Sequence, residues 1–267
     1  MALIPDTGKR IFGETDVDLK GGGSYNTDDA YDLDFYPEVG TGGGRAVLVV
    51  TVIVVFEFAD TGSTPTLKWA PAEKTKFMDD YKTQCSSVWG EKHQLVTANP
   101  TLAAKVAGVI FKIETMESGA GATFSHSHWN VKCRKVSSPR PSFTRPGGGG
   151  SMSNGTAELN SLDLTPSTPY GATGTRRTAV HEFGHMLGYR DEYPVPPSAS
   201  PADAALFTTS HPTDVDSIMY FGETIYPRHY VFFADWVSRQ WVSKDPVNCK
   251  PSEWTVNGTM DIARAGL

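Results

Sequence analysis

Cysteine is scarce in this chain: Cys85, Cys133 and Cys249 are the three among 267 residues. They can close one bridge at most, so no disulfide framework holds the fold. None stands at metal-ligand spacing from another. Basic charge is also short. The 24 lysines and arginines are outnumbered by 30 aspartates and glutamates, for a net charge of −6. No basic stripe with interleaved aromatics offsets that balance, which argues against nucleic acid as a partner. Long apolar runs are missing too. The most apolar stretch, Ala46 to Phe56, is too short to span a bilayer and reads as a buried strand. Met1 to Gly13 lacks the basic start and continuous apolar stretch of a cleavable signal. The expectation is a soluble, monomeric protein. It either leaves by a non-classical route, handled by a delivery or secretion machinery, or stays in the producer's cytoplasm.

What is present centres on His181-Glu182-Phe183-Gly184-His185-Met186-Leu187-Gly188-Tyr189-Arg190-Asp191. Two histidines four residues apart share one helix face and can grip a single metal ion. Glu182, next to the first of them, is placed to take a proton from a metal-bound water. Gly188 permits a left-handed C-cap that ends the helix and turns the chain. That turn can return Asp191 to the same metal. Two imidazoles and one carboxylate leave a coordination position open, as in a catalytic zinc site. Glu192 is a rival third ligand, one residue out of register.

The rest of the chain divides into an acidic, glycine-punctuated segment over residues 1–44 and a catalytic domain over 45–267. Gly21-Gly22-Gly23 and Gly42-Gly43-Gly44 are breaks that make the first part flexible. Its aspartates (Asp28, Asp29, Asp32 and Asp34) suit a hard cation, but no calcium-loop order is present, and a solvated acidic stretch is the expectation. A pro-segment or export tag is a third reading. Ala46 to Phe56 is a central strand. Pro71 to Gly90 is a helix with Phe77, Tyr81, Cys85 and Val88 or Trp89 on its apolar stripe. Val106 to Glu117 and Trp129 to Val136 are further strands. His126 and His128 form a polar entry to the last of these. Pro139 to Gly150 is a loop. Ala157 to Leu164 is an edge strand, free to pair with an extended peptide. Cys85 is core. Cys133 as a thiolate masking the metal is a minor reading. The metal helix runs from an N-cap at Thr175 to Gly188. Pro194 to Asp214 is a surface loop holding His211. Ser217-Ile218-Met219-Tyr220-Phe221-Gly222 is a tight apolar turn, and Arg228 to Trp241 a C-terminal amphipathic helix.

The metal helix, its glycine exit, Asp191 and the turn at Met219 together resemble the metzincin clan of zinc metallopeptidases. The aspartate in third place is similar to the snapalysin type. The resemblance rests on residues 175–241. It implies an α+β zincin with a twisted mixed sheet, an active-site helix and a C-terminal helix. It also implies Zn2+ held by His181, His185 and Asp191, Glu182 as general base, and a protein or peptide substrate. Members that steady the oxyanion with tyrosine carry it two residues after the methionine. Phe221 stands there in this chain, leaving Tyr220, Tyr226, His229 and Tyr230 as candidates. Two alternatives are a gluzincin-type hydrolase, with Glu223 or Glu253 as third ligand, and a non-catalytic zinc-containing binding module.

Overall fold

The computed structural model describes residues 9–20, 26–36, 45–102, 104–119, 127–138, 140–145, 155–168, 174–195, 207–208 and 210–257. These form a mixed α+β fold. Nine strands build one sheet: β1 (Phe12–Lys20), β2 (Asn26–Tyr36), β3 (Ala46–Ala59), β4 (Gln94–Val96), β5 (Val106–Glu117), β6 (Trp129–Arg134), β7 (Phe143–Arg145), β8 (Gly155–Asn160) and β9 (Thr255–Val256). Three α-helices accompany it among the described residues: α1 (Pro71–Trp89), α2 (Thr178–Met186) and α3 (Val231–Lys244).

β3 is the axis. Its run of valines, isoleucine and phenylalanine is buried for most of its length because both faces are covered. One edge pairs in parallel with β5 from Ala46 to Phe56. The other edge is shared. β2 runs antiparallel along Val47 to Thr51, and β6 runs parallel along Val54 to Ala59. Between the two partners, Ile53 would lose its ladder bonds. His128 supplies both: its Nδ1 accepts from the Ile53 N–H at 2.9 Å, and its own N–H donates to the Ile53 carbonyl at 3.0 Å. The ring is wholly buried. The expected polar strand entry is thus a core plug at a fork in the sheet. His126 lies outside the described residues.

The sheet continues through β6, β8 and β7 on one side and β5, β4 and β9 on the other. β8 is therefore interior, not the edge strand expected over Ala157 to Leu164. The edge belongs to β7, in the stretch expected as a loop, which pairs antiparallel with β8.

The largest departure is at the N-terminal end. Residues 12–36 form an antiparallel hairpin that joins the sheet through β2. Val17, Leu19, Tyr31, Leu33 and Phe35 are buried, with aspartates between them. The Trp129 indole N–H donates to the Ala30 carbonyl at 2.9 Å, and that of Trp236 to Glu14 Oε2 at 2.6 Å. Phe12 meets Trp241 edge-on at 5.0 Å. These contacts tie the hairpin to β6 and α3, so the described part of residues 1–44 belongs to the same core as the rest and is not a solvated lead-in. α1 buries Phe77, Tyr81, Cys85, Val88 and Trp89, the expected stripe. α3 begins and ends three residues later than expected.

Candidate metal centre

α2 opens at Thr178, with Arg177 as its N-cap in place of the expected Thr175. Every residue from Ala179 to Met186 is buried. A short helix buried all round is held rigidly by its surroundings. The indole N–H of Trp89, at the end of α1, donates to the Val180 carbonyl at 3.0 Å. The chain leaves α2 through Gly188, whose φ of +98° is the left-handed value a side chain resists. A Cβ there would also sit 3.0 Å from Leu19 of β1. The Gly188 N–H donates to the His185 carbonyl and the Tyr189 N–H to that of Gly184. This closure reverses the chain and brings Asp191 back against the helix.

Asp191 Oδ1 lies 3.1 Å from His181 Nε2 and 3.4 Å from His185 Nε2. The other ring nitrogens are occupied. His181 Nδ1 is 2.7 Å from the Ile218 carbonyl, and His185 Nδ1 is 2.6 Å from the Tyr189 carbonyl. A carbonyl can only accept, so His185 Nδ1 carries a proton and donates it; His181 Nδ1 stands between the Ile218 carbonyl and the Arg176 guanidinium, 2.9 Å away, which can only donate. Each Nε2 faces the shared centre, the orientation a metal-ligating histidine needs. Glu182 completes the group: one ligand atom each from His181, Glu182 and His185 lie within 4.8 Å of one another.

Two buried carboxylate oxygens here, Glu182 Oε2 and Asp191 Oδ1, accept no hydrogen bond. Buried anionic oxygens without a partner are costly. A bound divalent cation beside them would remove that cost, so the donor set fits a metal. The electrostatics agree. Burial lowers the His181 pKa, and the neighbouring Arg176 lowers it further. Burial also acts to lower that of His185, but the Asp191 charge and hydrogen bond, the Glu182 charge and the Tyr189 carbonyl together outweigh it, and the value is raised to about 9. Asp191 is held well below the carboxylate range: burial pushes it up, and His185 and His181 together more than compensate.

The turn expected at Met219 supports the centre from below. Its Ile218 carbonyl fixes His181, and its Met219 carbonyl accepts from the Glu192 N–H at 2.9 Å. Met219 is fully buried against α2. A Cβ on Gly184 would stand 2.4 Å from its sulfur and 2.7 Å from Trp89. Gly184 is therefore the gap through which Met219 reaches the helix backbone.

The rival ligands are engaged elsewhere. Glu192 makes a two-pronged ion pair with Arg228 at 2.7 and 2.8 Å and lies 3.4 Å from His229. Burial pushes its carboxyl up, but hydrogen bonds from His229, Arg228 and Ser217 hold it at about 2. Glu223 pairs with Arg177, and Glu253 accepts from Thr97. His211 packs 3.9 Å from Asp214. Cys133 is buried and its thiol pKa is raised by burial, as is that of Cys85. Neither sulfur borders the metal cluster.

A cavity of about 710 Å³ opens on the cluster, lined by Phe143 and Thr144 of β7, by Arg176, and by Tyr193. None of the four oxyanion candidates from the sequence lines it. The Tyr226 hydroxyl donates to Asp216, His229 Nδ1 accepts from the Tyr226 N–H, and the Tyr230 hydroxyl donates to the Trp89 carbonyl. Tyr220 packs edge-on against Phe221. Arg176 and Tyr193 are the site residues that sequence reasoning missed. Tyr193 had one signal, its place two residues beyond Asp191.

A second group brings Asp16, Asp32 and His128 within the same 4.8 Å. His128 Nε2 lies 3.3 Å from Asp32 and 3.8 Å from Asp16. Here Nδ1 accepts from a backbone N–H, so Nε2 holds the ring proton and turns it to the carboxylates. A protonated nitrogen is not a metal ligand.

Comparison with family models, with curated proteins and with solved structures returns no match for this chain.

Proposed function

We propose that this chain is a zinc-dependent endopeptidase of metzincin type, with His181, His185 and Asp191 as metal ligands and Glu182 as general base. The observation that carries this reading is the shared aim of two Nε2 atoms and Asp191 Oδ1, with each Nδ1 held by a backbone carbonyl on the far side of its ring. Two imidazoles and a carboxylate suit zinc and leave coordination positions for water and substrate. When bound, the metal would supply Lewis-acid polarisation and lower the pKa of a water.

The chain's own residues do the rest. Glu182 sits beside His181 with one oxygen that accepts no hydrogen bond, ready to receive the proton of the attacking water. The water oxygen bonds to the scissile carbon, the C–N bond breaks, and Glu182 returns the proton to the leaving amine. β7 offers the substrate a surface. It is a sheet edge, its Phe143 and Thr144 line the cavity, and the Thr144 hydroxyl donates to the Glu182 carbonyl at 3.2 Å. An extended peptide can add to such an edge through backbone hydrogen bonds. Protein and peptide substrates follow from that shape.

The test is digestion of a diverse peptide library by zinc-loaded wild type and Glu182→Ala, read by mass spectrometry. Cuts made by the wild type alone are the expected result. Equal cutting by both proteins, or by neither, would overturn the assignment.

A further inference from the structure

Most arginines of this chain are held by acids. Arg10, Arg45, Arg134, Arg177, Arg228 and Arg239 each form an ion pair with an aspartate or glutamate. Arg140 and Arg176 pair with no carboxylate among the described residues, and both line the cavity at the metal centre. A chain of net charge −6 thus leaves two cations uncompensated in one place.

Arg176 is the more informative of the two, because it is 8% exposed. Arg177 and Arg228 show how an arginine grips a carboxylate in this molecule. Their Nε and Nη2 donate side by side to the two oxygens of Glu223 and Glu192, at 2.6 to 2.8 Å. A two-pronged, charged bond of this kind is both strong and specific for a planar anion. In Arg176 the same edge is empty. Its Nη1 donates to the Tyr220 carbonyl and lies 2.9 Å from His181 Nδ1, and the guanidinium carbon sits 5.9 Å from the centre of the Phe221 ring. These contacts fix the group. Its Nε is buried and donates to nothing, and Nη2 has no hydrogen bond among the described residues. A buried, charged N–H without an acceptor is costly.

The cavity's own acids do not meet this need. Glu182 and Asp191 belong to the metal centre, where a divalent ion would offset both charges. Asp163 accepts from the Ser142 hydroxyl at 2.5 Å and the Asn160 N–H at 2.7 Å. The two arginines remain as the unanswered charge.

Resting on the peptidase reading above, we infer that Arg176, assisted by Arg140, is a specificity-determining residue whose free Nε and Nη2 edge binds a carboxylate of the peptide substrate. The substrate class is therefore acidic peptides. The carboxylate comes from an aspartate or glutamate side chain near the cut bond, or from the peptide's C-terminus. Such a bond is made before and during the reaction alike, so its effect falls on KM and not on kcat.

Cuts made by the zinc-loaded wild type in a peptide library should cluster beside aspartate, glutamate or a free C-terminus. For a peptide that is cut, changing that carboxylate to an amide should raise KM about 10–100-fold with kcat little altered. Amidating the side chain and the C-terminus in separate peptides identifies the source. A second readout needs no turnover. Calorimetry with zinc-loaded Glu182→Ala should show the acid form binding tighter than the amide form by a similar factor. Adding Arg176→Gln should make the two forms bind alike. A purely structural role for Arg176 beside His181 would weaken both forms equally and keep their ratio. That result, or a wild type indifferent to the acid, would overturn this inference and leave the peptidase reading standing. Should Arg176→Gln fail to fold, Arg140→Gln decides in its place: the ratio should fall about threefold, and an unchanged ratio would overturn the inference. A wild type that cuts no peptide would remove the peptidase reading and this one with it.

Discussion

Two histidine–carboxylate clusters lie in this molecule, and the position of a ring proton separates them. Around His181 and His185, backbone carbonyls hold the Nδ1 atoms and turn Nε2 toward a shared centre, where a metal would displace any proton. At His128, a backbone N–H takes the Nδ1 lone pair and leaves Nε2 as a donor. Both clusters gather one histidine nitrogen or more and carboxylate oxygens within 4.8 Å. Composition and proximity do not tell them apart. The hydrogen bond behind each ring does, because it decides whether the front nitrogen ligates a cation or donates to an anion. The first cluster reads as chemistry, and the second as the bolt that closes a sheet where β3 changes partner.

The sharpest way to break this contrast is Glu182→Ala. It should lower kcat at least about 1000-fold while zinc content stays at the wild-type level, since the proposed reading makes Glu182 the general base and not a ligand. Metal analysis alongside kinetics checks both halves. Next in size is Glu192→Ala. It takes the two-pronged partner from the half-buried Arg228, which keeps Asp214, so unfolding in urea should show a loss of about 1–3 kcal/mol. Zinc affinity should stay within a few-fold of wild type. A large drop in affinity would move the third ligand to Glu192. His128→Ala leaves the Ile53 N–H buried without an acceptor and should cost about 1–3 kcal/mol, with metal content untouched.

The smallest predicted effect per step is on pH. Without metal, the His185 pKa is raised to about 9, since Asp191, Glu182 and the Tyr189 carbonyl together outweigh burial. Zinc must expel that proton at neutral pH. Zinc affinity should therefore rise about tenfold per pH unit from pH 7 toward 9 and level off above it. Calorimetry in buffers of different ionisation enthalpy should count about one proton released at pH 7.

The elements most legible in the sequence are those with a single unbroken signal. β3 is β-branched and apolar on both faces, α1 repeats its apolar stripe at helical spacing, and β5 matches the expected Val106 to Glu117. The metal motif is local, so His181, Glu182, His185 and Asp191 are readable as one group, and the structure brings them together. The N-terminal hairpin is harder. Tyr31, Leu33 and Phe35 alternate with Asp32 and Asp34, a strand period, but the density of acid points to solvent. The alternation is also broken. Asp16 and Asp29 take positive φ, and the β1–β2 register shifts between Glu14 and Val17. Tyr193 is hidden for another reason. Its place in the cavity wall comes with a ring stack on Phe221, a contact that sequence spacing does not show.

The most direct test of the account is a zinc titration of wild type, Asp191→Ala and His128→Ala, followed by calorimetry. The account predicts one equivalent for wild type and for His128→Ala, and affinity weakened more than about 100-fold in Asp191→Ala. Two equivalents in the wild type, or one that survives Asp191→Ala and disappears in His128→Ala, would contradict it.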